Sequence, residues 1–325
     1  MVKNSGLGIL GELAERRVKG KPYLISEWGS CAPNDFREDG VLVMGAACAL
    51  QGWSALQFSF SHTDAADLEH FTGALDNNTD IRAQPAELAL WSSVARMLAQ
   101  GDLAPLTEEA WQPMSRAQAL DPHSAFKVSG PLGLVARTGV DFTEDGGAFN
   151  AESAAAPSMK DGWAVAEGGA LRHNAAKGIL LIDTPRTQAV SGFAGGEAEA
   201  LSNLSVDLKS RYGVLVASSL DGKPLASSFR VLLTAAGNAV NEGMALTPSG
   251  NQLAQAGGPK VLVEALAGQI SLKIDGDRQG QVWALDPSGR RKKAVPAQFS
   301  AGKVSFEMKP SYQTLYYELA LDEAQ

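Results

Sequence analysis

Cysteine is nearly absent from this chain: its 325 residues include two, Cys31 and Cys48. That is too few for a disulfide framework. Cys48 falls in an apolar helical stretch and reads as a core residue, and pairing with Cys31 is left open. Long apolar runs are missing as well. No uninterrupted stretch of about 18 apolar residues occurs, so no transmembrane helix and no membrane partner are expected. The opening "MVKNSGLGILGELAERRVKG" carries charges through what would be the apolar core of a signal peptide. The expected location is therefore cytoplasmic for the sequence as it stands.

Basic charge is also scarce, with 28 Lys and Arg against 36 Asp and Glu and a net charge of −8. The one basic cluster, "GRRKK" at 289–293, follows a turn-like "DPSG" and reads as a solvated hairpin tip. Nucleic acid is excluded as an expected partner. Metal signatures are equally thin. "DNNTD" at 76–80 places oxygen ligands at alternate positions but lacks the glycine and bidentate glutamate of a calcium loop. It reads as a turn. Neither a metal nor a cofactor is expected.

What is present is an ordinary globular composition, 45% hydrophobic and 20% charged, sufficient for two domains. The texture changes near residue 103. Before it, helices and buried strands alternate. Helical spacing runs through 7–20, "PYLIS" is a buried strand, and "GVLVMGAACALQG" is a small-residue helix closed by Gly52. "SALQFSF" is a second strand, and "QPAELALWSSVARMLAQGD" is a helix opened by Pro85 and stopped by Gly101. This order predicts two βα units of a parallel sheet over 1–103. The long connection 61–84 reads as a site wall or a disordered loop.

From 104 to 325 the pattern becomes short strands separated by Gly, Pro, Asn and Asp, which predicts a β-sandwich. "LDGKP" (220–224) and "IDGDRQG" (274–280) carry hairpin signals. The Ala/Gly-rich span 144–170 reads as an extended, partly mobile connection. Asp183 and Arg186 are placed to form a local ion pair. The fold class expected is thus α/β followed by all-β.

The chemistry centres on "KPYLISEWGS", where an apolar strand over Tyr23–Ser26 runs straight into Glu27, Trp28 and Gly29. A carboxylate beside an indole at a strand end suits the C-terminal mouth of a parallel barrel. The stretch "GKPYLISEWGSCAPNDFREDGVLVMGAACALQGWSALQFSFSH" resembles the seventh and eighth βα units of clan A (β/α)8-barrel glycoside hydrolases. The β-rich part is similar to the sandwich that follows the barrel in some large bacterial members, proteins that are exported. The resemblance implies that Glu27 is the nucleophile of a retaining β-glycosidase acting on β-glucoside or β-galactoside linkages. It also implies that Trp28, the usual aromatic follower, and the end of the eighth strand, Phe58 to His62, lie at the sugar.

The departure from that pattern is large. A whole barrel needs about 250 residues and eight strands, and this chain holds an incomplete barrel of about two βα units. The Asn-Glu pair that carries the acid/base at the fourth strand is absent; Asn241-Glu242 matches the sandwich instead. A retaining mechanism needs a second carboxyl about 5 Å from the first. Asp35, Glu38 and Asp64 are the candidates, with Asp67 behind them. Trp28, Trp53, Phe58 and His62 are the candidate sugar-binding wall, and His62 could also pass a proton.

Open strand edges and bare helix faces imply a homo-oligomer that covers the incomplete barrel and lends the missing acid. The alternatives are a non-catalytic carbohydrate-binding or interaction module, or an inactive truncated remnant of a larger glycosidase. For the module, Trp111, Trp163, Trp283, Tyr316 and Tyr317 are suited to sugar stacking, although most are expected in a core.

Overall fold

The computed structural model describes residues 1–4, 7, 10–30, 32, 34–57, 75, 81, 84–121, 130–147, 158–248, 252–300 and 302–322. It is a mixed fold, with few helices and mostly antiparallel strands. The first segment runs through α1 (Leu10–Ala14), β1 (Leu24–Trp28), α2 (Asp39–Gln51), β2 (Ser54–Gln57) and α3 (Pro85–Gln100). β1 and β2 pair in parallel, with Leu24 opposite Ser54 and Trp28 opposite Gln57.

α2 has no polar side after Asp39, and all its residues except Ala49 are buried. It fits between α3 and the β-rich layer, as an all-round apolar helix must. Gly52, at φ +66°, closes it with an N–H bond to Ala49. α3 starts at Pro85, stops at Gly101 and buries a stripe of Ala86, Ala89, Leu90, Val94 and Met97. Each of the larger side chains on that stripe contributes about 1.5–3 kcal/mol. Gly45 allows the two helices to approach closely, because a Cβ there would lie 2.3 Å from Val94 Cγ1.

α1 is shorter than the helical spacing of 7–20 predicts. After Ala14 the chain leaves the helix and lies against β4 (Arg137–Phe142), where Arg17 and Lys19 exchange backbone hydrogen bonds with Val140. β4 pairs in parallel with β3 (Glu109–Met114), a strand the sequence reading missed. Pro113 obscured it, and this two-stranded sheet tolerates a proline because an outer edge needs no donor. A short helix, α4 (Arg116–Leu120), follows, begun by a capping box between Ser115 and Gln118. Gln51 joins α2 to this region: its amide donates to the carbonyls of Gly133 and Ala136 and accepts from Thr138 N–H.

The β-rich part is built on a ten-stranded sheet. In spatial order its strands are Arg291–Val295, Gly280–Leu285, Tyr316–Leu321, Arg230–Ala236, Gly213–Ser219, Thr187–Gly192, Ile179–Asp183, Leu171–Asn174, Trp163–Val165 and Ser158–Lys160. One face packs on a five-stranded sheet through Ile179, Leu181, Leu215, Leu233, Ile270 and Phe306. Alternate residues of the same strands, among them Leu180, Ile182, Val214 and Val216, belong to the core under α2 and α3. Every residue of Gly213–Ser219 is therefore buried, because the strand is covered on both faces. The hydrophobic core runs without a break across residue 103.

Several expectations change. β1 is not fully buried: Leu24 is 52% exposed and Ser26 and Glu27 are exposed, since among the described residues β1 pairs with β2 alone. "LDGKP" does join two paired strands, but "IDGDRQG" links Gly268–Lys273 to Gly280–Leu285, which lie in different sheets. It is a crossover between layers, not a hairpin. Within 144–170, Ser158–Lys160 and Trp163–Val165 form a hairpin that adds to the sheet edge. Arg186 does not pair with Asp183; it reaches Asp102 at 2.6 Å, just beyond α3. Asp183 instead accepts from the Gln188 amide and Ser202 N–H.

Candidate functional site: the corner after the first strand and the charged cluster beneath it

β1 ends in Glu27 and Trp28, and α2 returns the chain to the parallel partner β2. Glu27 is exposed and makes no hydrogen bond or ion pair among the described residues. Trp28 is half-buried against the helical core, and its indole N–H has no partner there. The loop behind them folds back onto α2. A side chain at Gly40 would collide with Ser30, whose Oγ lies 2.0 Å from where a Cβ would sit.

Aromatic packing then clamps this loop to the ten-stranded sheet. Phe36, held at φ +59°, has its ring centroid 4.9 Å from that of Phe193 and 4.6 Å from that of Tyr212. Tyr212 donates its hydroxyl hydrogen to Phe36 O and accepts from Asp39 N–H at 3.0 Å. Burial pushes the Tyr212 hydroxyl well above the usual range, with Asp39 and Glu38 adding to the shift.

Below the loop lies a buried cluster of charge. Arg37 donates to Gln84 Oε1 at 3.0 Å, to Asn34 O at 2.6 Å and to Ala239 O at 2.8 Å. Its Nε is 3.7 Å from Glu87 Oε1 in the first turn of α3. Asp39 accepts from the amino group of Met1 at 2.7 Å and from Val2 N–H at 3.0 Å. Burial raises the Glu87 carboxyl to about 8; Arg37 opposes the shift, while Glu38 and Asp39 add to it. Burial likewise raises Glu38 to about 7. The N–H groups of Glu38 itself and of Ala239 point towards that carboxyl and pull it partway back, without completing a hydrogen bond.

No protein family, curated protein or solved structure matches this chain. The site therefore rests on its own geometry.

The candidate residues separate. Glu38 is 0% exposed, so it is not the loop acid the sequence suggested and cannot touch a sugar here. Its raised pKa suits a proton donor, but its position does not. Trp53 is 6% exposed and packs edge-on to Tyr23 with ring centroids 5.3 Å apart. The β1–β2 register puts Trp53 before Ser54, at the opposite end of the strand pair from Glu27. It belongs to the core and not to a sugar wall beside Glu27. Asp35 is exposed and lies 3.4 Å from Asn238 Nδ2. Phe58, His62, Asp64 and Asp67 lie outside the described residues, as do "DNNTD" and Cys31.

Asn241 is structural. Its amide accepts from Leu75 N–H and donates to Leu75 O and Ala256 O, tying the long connection to the sheet layer. Glu242 pairs with Lys260 at the surface. Cys48 is a buried free thiol, raised to about 11 by burial. Sequence reading missed Arg37, Glu87 and Tyr212. A charged "RED" ahead of an apolar helix reads as a solvated helix start, and the strand that covers it is remote in sequence.

Proposed function

We propose that this chain carries the nucleophile of a retaining β-glycoside hydrolase, with Glu27 in that role. The supporting observation is the position of Glu27, an exposed carboxylate near the C-terminal end of a parallel strand whose helix leads to a second parallel strand. That is where parallel barrels carry their catalytic groups. On this reading β1, α2 and β2 are part of an incomplete (β/α) barrel, and Trp28 lines the sugar site.

In the reaction Glu27 attacks the anomeric carbon and the glycosidic oxygen leaves with a proton from a second carboxyl. Water then displaces Glu27, activated by that same carboxylate. No cofactor enters these steps. Burial removes Glu38 from the role of second carboxyl. Asp35 and Asp64 remain, together with an acid contributed by a second copy of the chain. Among the described residues β1 is paired on one edge only, and a homo-oligomer would cover the other.

A panel of aryl β-glucosides and β-galactosides tests the reading. Turnover is expected from the wild type, with kcat reduced by roughly 10³–10⁶-fold in Glu27→Ala. Azide, a small anionic nucleophile, should restore part of that loss and yield a glycosyl azide of inverted configuration. Absent turnover, or turnover unchanged in Glu27→Ala, removes the proposal. Light scattering that shows a monomer removes the oligomer.

A further inference from the structure

Three sequence-distant parts of the chain meet at the buried charge cluster: loop 34–38, the first turn of α3 and the strand Ala239–Asn241. Arg37 ties them together through its bonds to Asn34 O, Gln84 and Ala239 O. The acids beside it are left open. Glu38 is 0% exposed and Asp39 and Glu87 are each 1% exposed. Both oxygens of Glu38, both of Glu87 and Oδ1 of Asp39 have no hydrogen-bond partner. Asp39 Oδ2 accepts from Met1 N and Val2 N–H.

Two positive groups face these acids, Arg37 on the loop and the amino group of Met1. From the ten-stranded sheet Tyr212 covers them with a hydroxyl that stays neutral. His173 Nε2 lies behind Val2 O at 2.7 Å, and burial favours its neutral form. Arg211 and Lys3 sit over the rings of Phe36 and Phe193, and exposed Asp35 lies at Asn238. Ionising Glu38, Asp39 and Glu87 together would set three negative charges against two positive ones in a buried site. Uncompensated charge there is costly, and hydration relieves it.

We propose that this junction is a pH-dependent latch: loop 34–38 stays closed on α3 and the ten-stranded sheet while Glu38 and Glu87 are protonated, and lets go, short of unfolding, when they ionise. Closure also holds Phe36 at φ +59°, a region that non-glycine residues avoid, so strain is released on opening. Burial sets Glu38 at about 7 and Glu87 at about 8, so the closed form holds more protons than a hydrated, open one. Rising pH therefore favours opening. The core beneath need not follow, because Gly213–Ser219 is buried along its whole length. The loop follows closely on Glu27 and Trp28, yet the latch does not depend on Glu27 being a nucleophile.

Amide hydrogen exchange of the full chain, read by mass spectrometry at pH 6 and pH 9, tests this, with rates corrected for the intrinsic rise of exchange with pH. Protection over 34–41 and 237–241 is expected to fall at least about thirtyfold. At pH 9 that exchange should ignore low concentrations of urea, since local opening exposes little surface, while exchange over 213–219 climbs with urea. In Glu38→Gln/Glu87→Gln the pH-dependent fall should vanish. If that variant does not fold, Glu87→Gln alone decides, and the fall should shrink at least about tenfold. Equal protection at both pH values overturns the latch. So does exchange over 34–41 that climbs with urea as steeply as that over 213–219, or a fall that survives the substitutions.

Discussion

Arg37 and Glu87 face each other at 3.7 Å with side chains only 1% and 2% exposed. The guanidinium makes its other bonds to Gln84, Asn34 and Ala239, and no hydrogen bond completes the Glu87 carboxyl. A buried acid of this kind takes up a proton more readily than it does in the unfolded chain.

Stability should therefore fall as pH rises. Glu87 and Glu38 have folded values of about 8 and about 7, both above the ordinary glutamate value. Between roughly pH 4.5 and pH 8 the folded state holds more protons than the unfolded one, so unfolding is favoured with each step up in pH. Urea titrations at pH 5.5 and 8.5 should differ by on the order of 3 kcal/mol. Glu87→Gln should exceed the wild type by a small margin at pH 5.5 and by a larger one at pH 8.5. A flat pH profile in the wild type would contradict the burial described.

Removing Arg37 should be costly at any pH. Arg37→Ala strips donors from two backbone carbonyls and from Gln84, and above about pH 8, where Glu87 is ionised, it also leaves that carboxylate without its counter-charge, at about 3–5 kcal/mol. A loss of stability no larger than that of a surface substitution would show that the cluster is hydrated.

Asp102 fastens the helical layer to the ten-stranded sheet. Its carboxylate accepts from Arg186 Nε and from the Thr187 hydroxyl, both at 2.6 Å, while Arg186 also donates to Gln100 O. Asp102→Ala should destabilise by about 2–4 kcal/mol in urea. Glu242→Ala, which removes an exposed pair with Lys260, should not measurably change the midpoint. Equal effects would place Asp102 at a solvated surface.

The close approach of α2 and α3 at Gly45 should show as coupling. Gly45→Ala forces a methyl against Val94 and should cost about 1–3 kcal/mol. Val94→Ala opens space at the same point, so the double variant should lose less than the sum of the two singles. Additive losses would mean the helices are farther apart.

Local sequence determined a good deal of this protein. The apolar run from Val41 to Leu50 ending at Gly52 could only be a buried helix. Pro85 and Gly101 bound the next helix, because one fits a helix start and the other the left-handed turn that ends it. Most strands of the β-rich part were legible from apolar runs between turn residues. The Glu27 corner was legible as well, as a carboxylate and an indole following a strand.

Tertiary structure alone decided what became of the charges. Arg37, Glu38 and Asp39 look like a wet helix start, yet Ala239, 202 positions beyond Arg37, and Tyr212, 173 beyond Asp39, lie over them. The same holds for Arg186, which ignores nearby Asp183 and crosses 84 positions to Asp102. Sequence periodicity records which way a side chain points along its own element. Whether water or another layer meets it there depends on contacts between distant parts of the chain, and burial of a charge follows those contacts.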